Sequence, residues 1–321
     1  AAPDWDSITH DGDFAYLPAH MRSVVGEQWM SEAFPRQRGR SQIVIAIARA
    51  DRAMTNDDIH VAYDVSRRIK NLFAAARLAA ARSLQQTDAN LVDQPPLSEG
   101  ERQRLFDRAI SQARDALDEA LTLDKLLADF WSERIEQNPE LEAARPPRLP
   151  EIYHNRALLE RLTGDNEAAG ENRELALLLD RELADLGDQV LPAGAAGLPL
   201  VDAWTWREAY FGDKLVSGDN QVRLIILQLT NEFMEVDNVF VLEEIEAELA
   251  PVRDHIDVWT EPGQSVLQSG SAAVGADFLR SAHRSIKNTE LCTVVLVVII
   301  LALVYRAPLL VALPVVTIVV S

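Results

Sequence analysis

From Leu291 to Ser321 the chain carries one charge, Arg306. About thirty residues with a single charge are rare outside membranes, because a soluble core seldom buries so long an uninterrupted apolar stretch. The first run, Leu291 to Tyr305, is rich in Val, Leu and Ile. Arg306, Ala307 and Pro308 break it, and a second run follows from Leu309 to Val320. The reading is a transmembrane helical hairpin whose turn is Tyr305, Arg306 and Pro308. The first run is slightly short for a bilayer core. It reaches spanning length if Asn288 and Thr289 enter the interface and Arg306 snorkels outward. The competing reading is a buried core hairpin. Cys292 falls at the membrane edge and reads as filler.

The rest of the chain is the opposite in character. The whole sequence has 31 Lys and Arg against 50 Asp and Glu. Removing Arg306 leaves 30 − 50 = −20 over residues 1–290. An acidic body speaks against nucleic acid as a partner, since such binding needs a basic stripe. The single Cys excludes an internal disulfide framework and a multi-Cys zinc site. The chain opens at Ala1 without Met and closes inside an apolar run, as expected of a piece of a longer protein. Charge does not decide orientation. Arg306 favours a cytoplasmic turn, whereas Arg280, Arg284 and Lys287 flank the other end of the run.

Within the acidic body, residues 1–22 read as an irregular lead-in. Ser23 to Phe34 reads as a short helix with Val25, Trp29 and Ala33 at spacing four, ended by Pro35. Gln42 to Arg49 alternates Ile43, Ile45 and Ile47 with Val44, Ala46 and Ala48, the pattern of a central strand with helices packed on the sheet. Thr55 with Asp58 predicts a helix start, and the apolar stripe from Ile59 to Ala76 carries that helix from about Asn56 to Gln86. Later, Lys214–Val216, a Gly218-Asp219-Asn220 turn and Gln221–Leu229 read as a hairpin, with Val222, Leu224 and Ile226 on one face. A helix follows from about Asn238 to Ala250, with Pro251 as its end or a kink. Ser265–Gln268 then reads as a short strand, and Ser271 starts a helix that runs into the tail. The order is β-α, then β-β-α-β, a split βαβ (ferredoxin-like) α+β pattern.

Between the first helix and the second strand lies an all-helical insertion, roughly Thr87 to Ala203. Leu97 to Ala128 reads as one long helix or two. Residues 151–182 place Tyr153, Ala157, Gly164, Asp165, Ala169 and Ala176 as a tetratricopeptide unit would, and Ala113–Asp124 echoes it weakly. A plain helical hairpin fits equally well. Either form is a docking or packing element.

No catalytic constellation is visible. His10, His20, His60, His154, His255 and His283 are isolated, so no metal or cofactor site is assigned, and no GxGxxG or P-loop pattern occurs. The Gly270–Gly275 run lets the chain turn and approach closely before the last helix. Glu243, Glu244, Glu246 and Glu248 read as a solvated helix face rather than an acid–base pair. Trp204, Trp206 and Tyr210 read as core packing rather than a ligand cage. The chain is not expected to be an enzyme.

Several of these stretches together resemble the MMPL branch of the RND transporters. They are Gly270-Ser-Ala-Ala, Ser285-Ile-Lys-Asn-Thr-Glu-Leu291, and the run closing on Val304-Tyr-Arg-Ala-Pro-Leu309. The lead-in is similar too, in Trp5-Asp6, Asp11-Gly-Asp-Phe-Ala-Tyr-Leu-Pro18 and Glu32-Ala-Phe-Pro35, as are Lys214-Leu-Val-Ser217 and Leu229-Thr-Asn-Glu-Phe233. The resemblance covers about residues 1–90 and 200–321, and the helical insertion departs from it. It implies a proton-driven, multi-pass exporter of lipids or other hydrophobic molecules in a bacterial inner membrane. Residues 1–290 are then periplasmic and Arg306 lies at the inner face. It divides the chain into a lead-in (1–40), a first porter part (41–86), the insertion (87–203), a second porter part (204–270) and the membrane-entering segment (271–321). Partners are membrane lipids or a hydrophobic substrate, a second copy in a homo-oligomer, and a protein on the insertion. The other class is a membrane-anchored scaffold that uses the insertion to recruit protein. Substrate-binding residues are not assigned, and proton-relay residues are expected in later membrane helices.

Overall fold

The computed structural model describes residue 21 and residues 39–86, 97–260 and 262–305. Strand β1 (Ser41–Arg49) buries Ile43, Ile45 and Ile47 completely, as its alternation requires. It is followed by α1 (Asn56–Gln86), whose start is fixed by the Asp58 carboxylate accepting from the Thr55 N–H at 2.8 Å and hydroxyl at 2.9 Å. Helix α2 (Glu99–Gln137) is one uninterrupted element, opened by a reciprocal Ser98–Glu101 capping box. Helices α3 (Pro150–Thr163) and α4 (Asn166–Leu179) form a helix–turn–helix around Gly164, at φ 88°, and the Asp165 cap. Ala113–Asp124 lies inside α2 and forms no second helix–turn–helix.

Strand β2 (Leu200–Thr205) follows Pro199 directly, so the 203/204 boundary falls within a strand. The expected strand Lys214–Val216 is absent. Residues Gly212–Leu215 make a 3-10 turn, and only Val216 bridges to Arg223. Phe211–Val216 is too tightly wound to pair, and β2 takes that edge of β3 (Val222–Leu229) instead. The Gly218–Asn220 turn is present, with Asn220 at φ 56°. Helix α5 (Asp237–Trp259) continues through Pro251 rather than ending there. Its buried face continues as Leu249, Val252 and Ile256, so packing outweighs the backbone hydrogen bond that proline cannot donate. Strand β4 (Gln264–Ser269) leads into α6 (Ser271–Tyr305).

The four strands form one antiparallel sheet in the order β2-β3-β1-β4. Ile45 sits opposite Ile225 on one side and Gln268 on the other. The buried face of β3 is Arg223, Ile225, Leu227 and Leu229. The Val222, Leu224 and Ile226 face points away from the helices and stays half-buried. One hydrophobic core joins the sheet, α1, α2, α3 and α5, with α2 packed along α1 as the most extensive helix pair described.

The expected helix Ser23–Phe34, Arg306, Pro308 and the second apolar run lie outside the described residues. Tyr305 is the last residue of α6. The uncharged part of α6, Leu291–Tyr305, has 15 residues. At helical rise that is about 22 Å, against a hydrocarbon core of about 30 Å. Among the described residues no helix is long and apolar enough to cross a membrane.

Candidate functional site

The root of α6 is built for close approach. Gly270 sits at φ 105°, and a Cβ there would lie 2.5 Å from the Gln42 carbonyl oxygen. A Cβ on Gly275 would lie 1.8 Å from the Phe233 carbonyl oxygen. Both glycines therefore do what the Gly270–Gly275 run predicted: they let the helix pass against β1 and the turn that precedes α5. The Ser271 hydroxyl accepts from the Gln42 N–H at 3.0 Å, and Ala272, Ala273 and Ala276 are buried. Arg280 ties the helix sideways, donating to the Val239 carbonyl at 3.4 Å and the Glu243 carboxylate at 3.5 Å. These contacts fasten the root of α6 to the sheet and to α5.

Two apolar surfaces remain uncovered among the described residues. The open sheet face presents Val44, Ala46, Leu224, Ile226 and Trp204, with Leu267 on β4 56% exposed. At the root of α6, Val274 and Phe278 are 55% and 60% exposed, and Val236, just before α5, and Phe240 on it are exposed too. Further along α6, Val295, Leu296, Ile299 and Ile300 are exposed, as is the free Cys292. A surface hollow of about 450 Å³ between the end of α1 and Gln189–Ala196 has a mixed lining, with Arg82, Ser83 and Gln86 beside Ala79, Val190 and Ala196.

On the covered face, α1 carries an ionic network that the sequence reading missed. Asp64, at the centre, accepts from Arg67 Nε at 2.6 Å and from Arg68 Nε at 3.4 Å. Arg67 crosses to Asp124 of α2, whose other oxygen holds Arg148 at 2.6 Å and the Tyr153 hydroxyl at 3.1 Å. Lys70 joins Glu119 at 2.8 Å to Glu208 at 3.0 Å. Burial opposes the Asp64 charge, but Arg67 and Arg68 outweigh it and hold the carboxyl below its usual range. Burial likewise opposes the Lys70 charge, and Glu119 and Glu208 raise it above its ordinary value. The signal was legible in principle: Asp64, Arg67, Arg68 and Lys70 recur on a helix otherwise filled with Ala, Val and Leu.

The acidic run on α5 is not a uniform solvated face. Glu243 faces Arg280 and Glu246 faces Arg253, but Glu248 points inward, 3.9 Å from Arg68. Burial pushes Glu248 up to about 7, against the pull of Arg68 and with Glu151, Asp64 and Glu244 adding to the rise.

The expected aromatic cluster is split three ways. Trp204 meets Phe211 edge-on at 5.3 Å, Tyr210 is 98% exposed, and Trp206 stacks on Tyr63 of α1 at 5.6 Å. Two guanidinium groups then gather on the Trp206 ring, Arg223 at 4.6 Å and Arg207 at 5.8 Å.

The described histidines are separate. His154 is buried between the Gln189 carbonyl and Arg173, each at 2.7 Å, while His60 stacks on Phe130. His10 and His20 lie outside the described residues. Among the described residues no group of three or more His, Cys, Asp or Glu is placed to hold a metal ion. Of the expected turn residues, only Tyr305 is described.

Compared with known protein families, the chain matches the one described as MMPL family over residues 153–321, more than half its length. The match begins in α3, within the stretch expected to depart from that family, and runs through the sheet and α6. No curated protein and no solved structure matches the chain.

Proposed function

Since this chain belongs to the MMPL family, whose members are RND-type transporters of hydrophobic substrates, we propose that it supplies a periplasmic porter domain and the adjoining membrane entry of a proton-driven lipid exporter. The carrying observation is the junction at Gly270. There the last strand of an α+β body passes, without a linker, into a 35-residue helix whose composition changes from charged to apolar. A helix locked to the sheet by Gly270, Ser271, Gly275 and Arg280 suits a domain that must move with its membrane segment.

The strand order and the placement of α1 and α5 on one face support a ferredoxin-like porter fold, with α2–α4 as a helical insertion. The single helix–turn–helix at 150–179 supports at most one tetratricopeptide-like unit. In this reading the protein is multi-pass in a bacterial inner membrane, residues 1–290 are periplasmic, and Tyr305, Arg306 and Pro308 form the cytoplasmic turn. The open sheet face and the Phe278 patch are the surfaces offered to a hydrophobic substrate, to a second copy in a homo-oligomer, or to a protein that the insertion helps to hold.

Two measurements test the reading. Protease added to spheroplasts should cut the 87–203 segment; protection there, with cutting only in inverted vesicles, overturns the topology. Cells lacking the gene should accumulate a hydrophobic substrate that the full-length gene clears, and a protonophore should abolish clearance. Clearance that persists when the proton gradient has collapsed overturns proton coupling.

A further inference from the structure

Five basic side chains are buried among the described residues: Arg49, Arg67, Arg68, Lys70 and Arg223. The first four each face a carboxylate. Arg223, only 7% exposed, has none within ion-pair range among the described residues. Its Nη2 donates to the Asn220 side-chain oxygen at 3.0 Å, and its Nε, buried, has no acceptor. The Trp206 Nε1 beneath it is also a buried donor without an acceptor. Arg207 approaches the same indole and the Tyr63 ring, at 5.8 Å and 5.6 Å, again with no carboxylate in ion-pair range among the described residues.

Two like charges on one indole repel each other, and a cation–π contact does not satisfy an N–H in the plane of a guanidinium or an indole. Burial works against the Arg223 charge and lowers its pKa, with Tyr63 pulling only weakly the other way. Everywhere else in this core a buried cation was placed with its anion. Here the cations and orphan donors are present, and no anion stands beside them among the described residues.

We propose that Arg223, Arg207 and the Trp206 N–H form a binding site for a phosphate-type oxyanion at the end of the sheet, beside Tyr63. A tetrahedral dianion has enough oxygens to take a guanidinium fork on each side and the indole donor as well, and its charge answers both arginines. The same chemistry is offered by free inorganic phosphate and by the headgroup of a phosphorylated lipid. The proposal does not depend on the transport reading.

The test is equilibrium dialysis of full-length protein in detergent, against radiolabelled inorganic phosphate and against radiolabelled dihexanoyl phosphatidate below its micellar concentration. One saturable site per chain is expected, weakened at least tenfold in both Arg223→Gln and Arg207→Gln. Phosphate binding with that loss assigns the site to the free anion. Phosphatidate binding alone, with that loss, assigns it to a headgroup. Arg207 is exposed, so its variant reads the site even if Arg223→Gln fails to fold, and Arg223→Lys keeps the charge but loses the fork. Absence of saturable binding of either probe, or unchanged binding in Arg207→Gln, overturns the proposal.

Discussion

Arg67 of α1 and Asp124 of α2 form an ion pair with almost no access to solvent, joining helices whose paired residues are 57 positions apart. Asp124 also holds Arg148 and Tyr153, so one carboxylate fastens the start of α3 to the α1–α2 pair. Replacing Asp124 by Ala leaves Arg67 buried without that partner. A loss of about 3–5 kcal/mol is expected, because Arg67 keeps only Asp64, which it shares with Arg68, while Arg148 and the Tyr153 hydroxyl lose their acceptor. Chemical denaturation of the variant checks this, and a loss under about 1 kcal/mol contradicts it.

Glu248 gives the protein a pH dependence near neutrality. Its folded pKa, about 7, lies above the unfolded value of 4.5. The unfolded chain therefore releases this proton first, and the contribution to stability falls as pH rises from about 4.5 to 7. Glu248→Gln keeps the neutral form. The melting temperatures of variant and wild type should nearly coincide at pH 4.5 and separate above pH 7, the variant being the more stable by roughly 1–3 kcal/mol. A constant difference across that range removes Glu248 as the cause.

At the root of α6, Gly270→Ala meets both a positive φ and the Gln42 carbonyl. Destabilisation of about 2 kcal/mol or more is expected. Val274→Ala, on the exposed side of the same turn, is expected to change stability by less than about 0.5 kcal/mol. Thermal unfolding of the two variants side by side is the check; equal effects deny the close approach its importance.

Pro251 interrupts the backbone ladder of α5 while the packed face continues past it. Pro251→Ala restores an N–H and helix propensity, so a gain of about 1–3 kcal/mol is expected. A loss of stability would show that the proline ring itself is packed to advantage.

The elements with strong local signals were readable before the fold was known. Strand β1, helix α1 with its Thr55–Asp58 start, helix α5 as far as Ala250 and strand β4 follow from alternation, periodicity and caps, which act within a few residues. The edge strand was misplaced because Lys214–Val216 and Leu200–Thr205 are both short and apolar, and only pairing with β3 chooses between them. Glu248 was read as solvated together with the three glutamates beside it in the sequence, and only the position of Arg68 on another helix shows that it turns inward. Trp204, Trp206 and Tyr210 are near in sequence but separate, since the chain turns after β2 and each ring meets a different element.

By itself the amino-acid order determined an acidic α+β body, its central strand, and a final helix growing apolar toward Leu291 and beyond, because charge and periodicity are local properties of the chain. Tertiary structure decided which sheet face the helices cover, which strand completes the edge, and which charged groups are buried together. Those outcomes depend on contacts between residues such as Arg67 and Asp124, whose partnership has no local signature and exists only once α1 and α2 lie side by side.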